Sequence, residues 1–184
     1  MLSEIRWHGR GGQGVVTASR ILAQAALLEG KFVQAFPEFG PERTGAPILG
    51  FTRISDERIR IHSHVYTPSL VVVLDPTLLE SVDVTTGLNK NGILVVNSEK
   101  TPRQIKERLG VHDAKAFTVD ATRIALEVLG RAITNTAMLG AVVRAAPIAS
   151  LDSVKAAVRE RFTESLADRN VTAIERAYSE VVCE

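Results

Sequence analysis

Ile5-Arg6-Trp7-His8-Gly9-Arg10-Gly11-Gly12-Gln13-Gly14-Val15 is a short apolar segment that runs directly into a cluster of glycines. Gly9 to Gly14 fits G-x-G-x-x-G, the pattern of a tight turn between a strand and a helix. The next residues supply the helix. Val15, Ala18, Leu22, Ala25 and Leu28 recur at spacings of three and four, drawing one apolar stripe that ends near Gly30. Phe32 to Phe36 then reads as a second strand. Strand, glycine turn, helix and strand open a βαβ unit, so the expected sheet is mostly parallel with helices on its faces.

Outward from this unit, Pro37 to Pro47 carries three prolines and two glycines and is predicted to be a long loop. Ile48 to Ser55 and Arg58 to Ile61 are β-rich runs separated by Asp56 and Glu57, which predicts an inserted antiparallel hairpin. Leu70 to Leu74 and Ile93 to Val96 are continuous aliphatic runs, as expected of central strands covered on both faces. One or two helical turns are expected over Pro76 to Val82, and Asn91-Gly92 turns the chain into the second run. Thr101, Pro102 and Gln104 form an N-cap, a first-turn proline and a capping-box partner, with Gly110 as the stop. Ala116 to Val119 is a further strand and Asp120 caps a helix to about Gly130. Asn135 to Ala146 is apolar nearly all round, which places that helix in the interior or under a partner subunit. Leu151, Val154, Val158, Phe162 and Leu166 mark one more helix, and Val171, Ile174, Tyr178 and Val181 the last. With no repeat or linker, residues 1–184 read as a single Rossmann-like α/β domain with a mostly parallel sheet, an inserted β-hairpin and a helical C-terminal region.

Composition narrows the function by exclusion. Of the 184 residues, 22 are Lys or Arg and 21 are Asp or Glu, a net charge of +1 that gives no basic face for nucleic acid or for an acidic membrane surface. There is neither a transmembrane-length apolar run nor a basic-then-apolar signal, so the expected compartment is the cytoplasm. The one cysteine, Cys183, cannot ligate an iron-sulfur cluster, form a CxxC pair or close an internal disulfide. If electrons move, another chain carries them.

The glycine loop is the leading candidate for a site. Its backbone permits close approach of a ligand, and the N–H groups at the following helix start favour an anion; the alternative is a tight strand-to-helix crossing with no ligand. Neither of two specific cofactor patterns is completed. The acidic residue that would hold a ribose at the end of the second strand is missing from Val33-Gln34-Ala35-Phe36, and Val15-Val16 stand where a P-loop has Lys and Ser/Thr. The loop Phe36 to Pro47 places two aromatics beside the Glu42-Arg43 pair. In a doubly wound sheet it is expected to face the glycine loop, where Arg10 and Arg43 can converge on one anion. His62 and His64 share a strand face without a third ligand, so no metal site is expected. His8 has no nucleophile partner and reads as structural.

Gly9 to Gly14 and Phe36 to Pro47, followed by Leu74-Asp75-Pro76-Thr77-Leu78-Leu79 and Asn135-Thr136-Ala137-Met138-Leu139-Gly140, resemble in order the gamma subunit, or the corresponding fused domain, of the 2-oxoacid:ferredoxin oxidoreductases. The version Phe39-Gly40-Pro41-Glu42-Arg43-Thr44-Gly45-Ala46-Pro47 is similar to the pyruvate branch, with Thr44 where that branch more often has a second arginine. The resemblance implies oxidative decarboxylation of a 2-oxoacid to an acyl-coenzyme A with reduction of ferredoxin. It also implies thiamine diphosphate, magnesium and iron-sulfur clusters in partner subunits, none bound by this chain alone, and coenzyme A as co-substrate. The absence of a Gly-Asp-Gly segment and the single cysteine agree with that division. On this reading Gly9, Arg10, Gly11, Gly12, Gln13 and Gly14, together with Glu42, Arg43 and Thr44, line the coenzyme A side of a shared site. The competing readings are a stand-alone nucleotide or acyl-coenzyme A sensor and a purely structural assembly subunit.

Overall fold

The computed structural model describes residues 1–38 and 44–184. Its strands are β1 (Leu2–Arg10), β2 (Phe32–Pro37), β3 (Pro47–Ser55), β4 (Leu70–Val73), β5 (Ile93–Asn97), β6 (Lys115–Val119) and β7 (Val182–Cys183). The helices are α1 (Val15–Leu28), α2 (Leu78–Ser81), α3 (Pro102–Leu109), α4 (Ala121–Leu129), α5 (Asn135–Ala145), α6 (Leu151–Arg161) and α7 (Glu164–Glu180).

Among the described residues the strands form one sheet in the order β2-β3-β1-β4-β5-β6-β7. β1, β4, β5 and β6 pair in parallel, whereas β3 is antiparallel to both β1 and β2, and β7 to β6. β2 therefore runs in the direction of β1 without pairing with it, because β3 is inserted between them. The expected hairpin exists, but β2 and β3 form it through the 38–46 connection. Arg58 to Ile61 is not a strand: it is almost entirely exposed, and its contact with β2 is a side-chain bond from Gln34 Nε2 to the Ile61 carbonyl at 3.0 Å rather than a backbone ladder.

Alternation along the strands sorts two cores. Leu70, Val72 and Val95 face the larger one, formed with α1, α4, α5, α6 and α7; Val71, Val73, Leu94 and Val96 face the smaller one, with Leu78 and Ile105 of α2 and α3. Both faces of the central strands are thus dry, as the unbroken aliphatic runs required. The capping box at Thr101 and Gln104 is formed, Gly110 stops α3 in the left-handed conformation, and Asp120 accepts from the Arg123 amide to cap α4. α5 packs on β5 and β6 under α1, α4, α6 and α7, with Asn135 through Val143 all buried. Its all-round apolarity is explained by this interior position. The expected helix through Phe162 and Leu166 is broken: α6 ends at Arg161, Phe162 and Thr163 are extended, and Leu166 opens α7 as a 44% exposed residue.

β1 leads through α1 to the left half of the sheet, and β4 leads through α2 to the right half. The carboxyl ends of β1 and β4 are consequently adjacent at the point where the strand order reverses, the usual place for a ligand crevice in an open α/β sheet.

Candidate functional site

At this switch point β1 ends in the glycine loop. Gly12 and Gly14 adopt φ of +92° and +79°, values that side-chain-bearing residues rarely take. Around Gly12 a β-carbon would meet nothing, so the turn is open there. At Gly14 it would lie 2.3 Å from Asn135 Nδ2, so the start of α5 packs directly on the loop. The N-cap of α1 is Gly14, which offers no side-chain acceptor. The first intrahelical bond recorded is from Ala18 N–H to the Gly14 carbonyl. The amides of Val15, Val16 and Thr17 are therefore without a partner among the described residues, as the first donors of an α-helix are, and they carry the positive end of the helix dipole.

These donors open onto a cavity of about 410 Å³ lined by Gly11, Gly12, Gly14, Val16, Thr17 and Thr44, among others. The second loop reaches the first as expected. Gly11 N–H donates to the Ala46 carbonyl at 2.9 Å, and Gly45 N–H donates to the Gly11 carbonyl at 3.1 Å. Thr44 is thereby brought beside the glycines, whereas Glu42 and Arg43 lie outside the described residues.

Arg10 and Gln13 are at the loop but do not line this cavity. The Arg10 guanidinium donates to Thr77 Oγ1 and to the Gly45 carbonyl, and its Nε lies 3.2 Å from Asp75 Oδ2. Gln13 Oε1 accepts from the Arg10 amide at 2.7 Å, while its Nε2 donates to Asp75 Oδ2 at 2.7 Å. Asp75 Oδ1 is taken by the Thr77 amide and hydroxyl. Burial alone would raise the Asp75 pKa, but the hydrogen bonds from Thr77 and Gln13, with Arg10 nearby, outweigh it and hold the carboxyl below its ordinary range. Asp75 is thus an ionised clamp across the switch point, tying the turn after β1 to the turn after β4.

Sequence reasoning left Asp75 without a role. The available signal was Asp75-Pro76-Thr77 at the end of a buried strand, since an Asp two residues before a Thr closes a side-chain-to-backbone turn there. Asn135 was likewise placed only on its helix. Its Nδ2 lies 3.5 Å from the Gly14 carbonyl, and its Oδ1 accepts from the Thr136 amide.

The histidines resolve separately. His64 stacks on Phe51 with centroids 5.3 Å apart, and neither it nor His62 stands on a strand, which corrects the shared strand face. No three His, Cys, Asp or Glu side chains among the described residues are grouped to hold a metal ion. No helix among them is long and apolar enough to cross a membrane.

The family model described as pyruvate ferredoxin/flavodoxin oxidoreductase matches residues 4–180. The pyruvate/ketoisovalerate oxidoreductases common subunit gamma of Thermococcus kodakarensis is 55% identical over 179 residues, covering 97% of each chain. The crystal structure of pyruvate oxidoreductase subunit PORC from Thermotoga maritima superposes with a TM-score of 0.89 at 45% identity, covering 100% of this chain and 98% of that one. A 2-oxoglutarate:ferredoxin oxidoreductase from Magnetococcus marinus, solved with 2-oxoglutarate, coenzyme A and succinyl-CoA bound, shares the fold at 20% identity and a TM-score of 0.78. That match covers 97% of this chain and 30% of the other.

Proposed function

This chain belongs to the pyruvate ferredoxin/flavodoxin oxidoreductase family, as a gamma subunit, and on that premise we propose that it supplies the coenzyme A phosphate cradle of a multi-subunit 2-oxoacid:ferredoxin oxidoreductase. The complex oxidatively decarboxylates pyruvate or a related 2-oxoacid, transfers the acyl group to coenzyme A and passes electrons to ferredoxin. The observation that carries the role of this chain is the uncapped N-terminus of α1. Three amides without a partner among the described residues lie at a cavity at the switch point of the sheet, which Thr44 also lines. A phosphate oxygen satisfies such donors, and the helix dipole adds to the attraction.

Arg10 and Gln13 serve the cradle by shape. Their bonds to Asp75 and to the Gly45 carbonyl fix the turn so that the backbone, rather than a long side chain, meets the ligand. The proposal extends to Glu42 and Arg43, which adjoin Thr44 in sequence and lie outside the described residues, with Arg43 as the charged partner of a phosphate. Iron-sulfur clusters do not fit this chain, because one exposed cysteine cannot supply their thiolates. Clusters, thiamine diphosphate and its magnesium are assigned to partner subunits, and no step of their chemistry runs through these residues. The stand-alone sensor reading is not favoured, since the relatives are subunits of oxidoreductases.

The test is Thr17→Glu in the assembled complex. Position 17 is the third residue of α1, where a glutamate favours the helix and so leaves folding intact. It also puts a negative charge at the mouth of the cradle. The expected result is an apparent KM for coenzyme A raised about tenfold or more, for a loss of about 1.4 kcal/mol, with the KM for pyruvate unchanged. An unchanged coenzyme A requirement in a fully assembled variant removes the cradle from this face.

A further inference from the structure

β2 is the last strand on its side of the sheet, so one of its edges has no strand beside it among the described residues. Register decides which backbone groups lie on that edge. Glu38 N–H donates to the Leu49 carbonyl, and this pair continues the β2–β3 register in which Phe36 meets Phe51, Gln34 meets Arg53 and Phe32 meets Ser55. Hydrogen-bonded pairs alternate along an antiparallel ladder, so Phe32, Gln34, Phe36 and Glu38 direct their backbone groups to β3. Val33, Ala35 and Pro37 turn theirs outward. Carried across β3, the same alternation makes the even-numbered residues of β1 face β4, and there the Ser69 amide bonds the Glu4 carbonyl and the Leu74 amide that of His8.

No described residue takes up the outward groups of Val33 and Ala35. Pro37 adds a carbonyl but has no N–H, which closes the edge at that end. The side chain of Val33 packs with the α1 core on one face of the strand. On the other face the chain comes near the edge without pairing. Gln34 Nε2 donates to the Ile61 carbonyl, and Ile61 and His62 form one wall of a cavity of about 310 Å³ whose other wall is Gln34, Ala35 and Phe36. Ile61, and Phe32 at the start of the strand, are large apolar side chains left 39% and 45% exposed. Arg58 and Arg60, exposed in the same segment, have neither an ion pair nor a hydrogen bond among the described residues, and from Glu57 to His62 they outweigh one carboxylate.

An open strand edge beside an apolar slot is the arrangement by which an extended peptide adds to a sheet, its backbone giving affinity and its alternate side chains specificity. We propose that a net-acidic extended segment of another subunit of the oxidoreductase complex pairs with the outer edge of β2, with an apolar side chain in the slot beside Ile61 and carboxylates toward Arg58 and Arg60. A second copy of this chain fits less well. Antiparallel pairing of two identical edges has its two-fold axis normal to the sheet, which brings both arginine-bearing segments together on one face. The inference rests on the chain being one subunit of a complex and not on the coenzyme A cradle, whose test reads coenzyme A use in a complex that stays intact.

Hydrogen–deuterium exchange, read at single amides in the purified chain and in the assembled complex, tests the edge. The Val33 and Ala35 amides are expected to exchange freely in the chain alone and about a hundredfold or more slower in the complex, with Gln34 and Phe36 protected in both. Ala35→Pro removes an outward donor and no bond to β3, so a chain with an unchanged circular dichroism spectrum should no longer co-elute with its partner subunits. Arg58→Glu combined with Arg60→Glu, both on exposed positions, should raise the apparent dissociation constant of the complex about tenfold or more at low salt and flatten its dependence on salt. Unchanged exchange at Val33 and Ala35 on assembly overturns the proposal, and this comparison needs no variant. Protection in the dilute chain alone overturns it in favour of an edge covered by the chain itself, and protection that grows with chain concentration in favour of a second copy. Assembly indifferent to the arginine reversal overturns the acidic character of the segment.

Discussion

Replacing His8 with glutamine should remove a defined share of the acid sensitivity of this protein. His8 is 3% exposed and its Nε2 accepts from Arg6 Nε, so the folded state holds it neutral with a pKa of about 3, against 6.5 for the unperturbed side chain. The folded pKa lies below the unfolded one, so between these values the unfolded chain binds a proton that the folded chain refuses. Stability is therefore complete above about pH 6.5 and is lost as pH falls toward 3. At pH 5 the unfolded side chain is already mostly protonated, and the loss is RT ln(1 + 10^(6.5 − 5)), about 2 kcal/mol. That figure is insensitive to the folded pKa provided it lies below about 4.5. Glutamine retains a neutral carbonyl acceptor for Arg6 and cannot take up the proton, while the carboxylates that also titrate in acid are common to both proteins. The quantity to read is the change in unfolding free energy between pH 7 and pH 5, measured by urea denaturation of each. Wild type should lose about 2 kcal/mol more than His8→Gln, equivalent to about 4 to 8 °C in Tm for a chain of this size. Any constant penalty of the substitution cancels in the comparison. Parallel pH profiles for the two proteins, or a His8 imidazole that titrates above pH 5 by NMR, would refute the reasoning.

Three other substitutions probe the switch point and the packing beneath it. Asp75→Asn can still accept from Thr77, but it sets an amide against Gln13 Nε2. A flipped Gln13 forfeits the bond from the Arg10 amide, so about a tenfold loss of kcat/KM for coenzyme A is expected in an assembled complex, and steady-state kinetics measure it. Gly140→Ala places a methyl carbon 2.1 Å from the Ile174 carbonyl oxygen, backbone that cannot rotate away, so α5 and α7 must part. Despite the better helix propensity of alanine, thermal unfolding should show a destabilisation of about 2 kcal/mol or more, and a neutral outcome would contradict the close helix contact. Arg43→Ala should raise the coenzyme A requirement of the complex without altering its subunit composition, read from a coenzyme A-dependent viologen assay and gel filtration.

Local chemistry was legible in the sequence where a signal and its effect are a few residues apart. The Thr101 capping box, the Asp120 cap and the glycine turn at Gly9 to Gly14 each close a bond or a turn within one helical turn of themselves. The α6–α7 break carries neither glycine nor proline, so Leu166 kept step with the α6 stripe although it stands exposed one helix later. Arg58-Ile59-Arg60-Ile61 alternates as a strand does, and nothing in that pattern says that it meets β2 through the Gln34 side chain instead of a backbone ladder.

Strand order is the harder case, because it is decided by partners far apart in the chain. β3 sits between β1 and β2, and its residues Gly50 to Ser55 are buried on both faces: Thr52 reaches Trp7 and Ser19 on the α1 side, and Arg53 takes Glu4 and Gln34 on the other. An arginine with 1% exposure looks like a surface residue in a sequence, and it is made tolerable by the Glu4 carboxylate 49 positions earlier together with Gln34 Oε1 and the carbonyls of Ser63 and His64. The same logic governs the candidate site. The glycines announce a turn, but its shape is imposed by Asp75, 62 residues beyond Gln13, and by Asn135, whose side chain meets Gly14 across 121. That insertion also joins the two loops, since β3 starts at Pro47 alongside Arg10 and so delivers Thr44 to Ala46 onto the glycine turn. The strand that the sequence located, but whose partners it did not, is therefore the element that brings the two loops of the proposed cradle together. A substitution that loosens β3 from β1, far from any ligand, should impair coenzyme A use before it impairs the larger core.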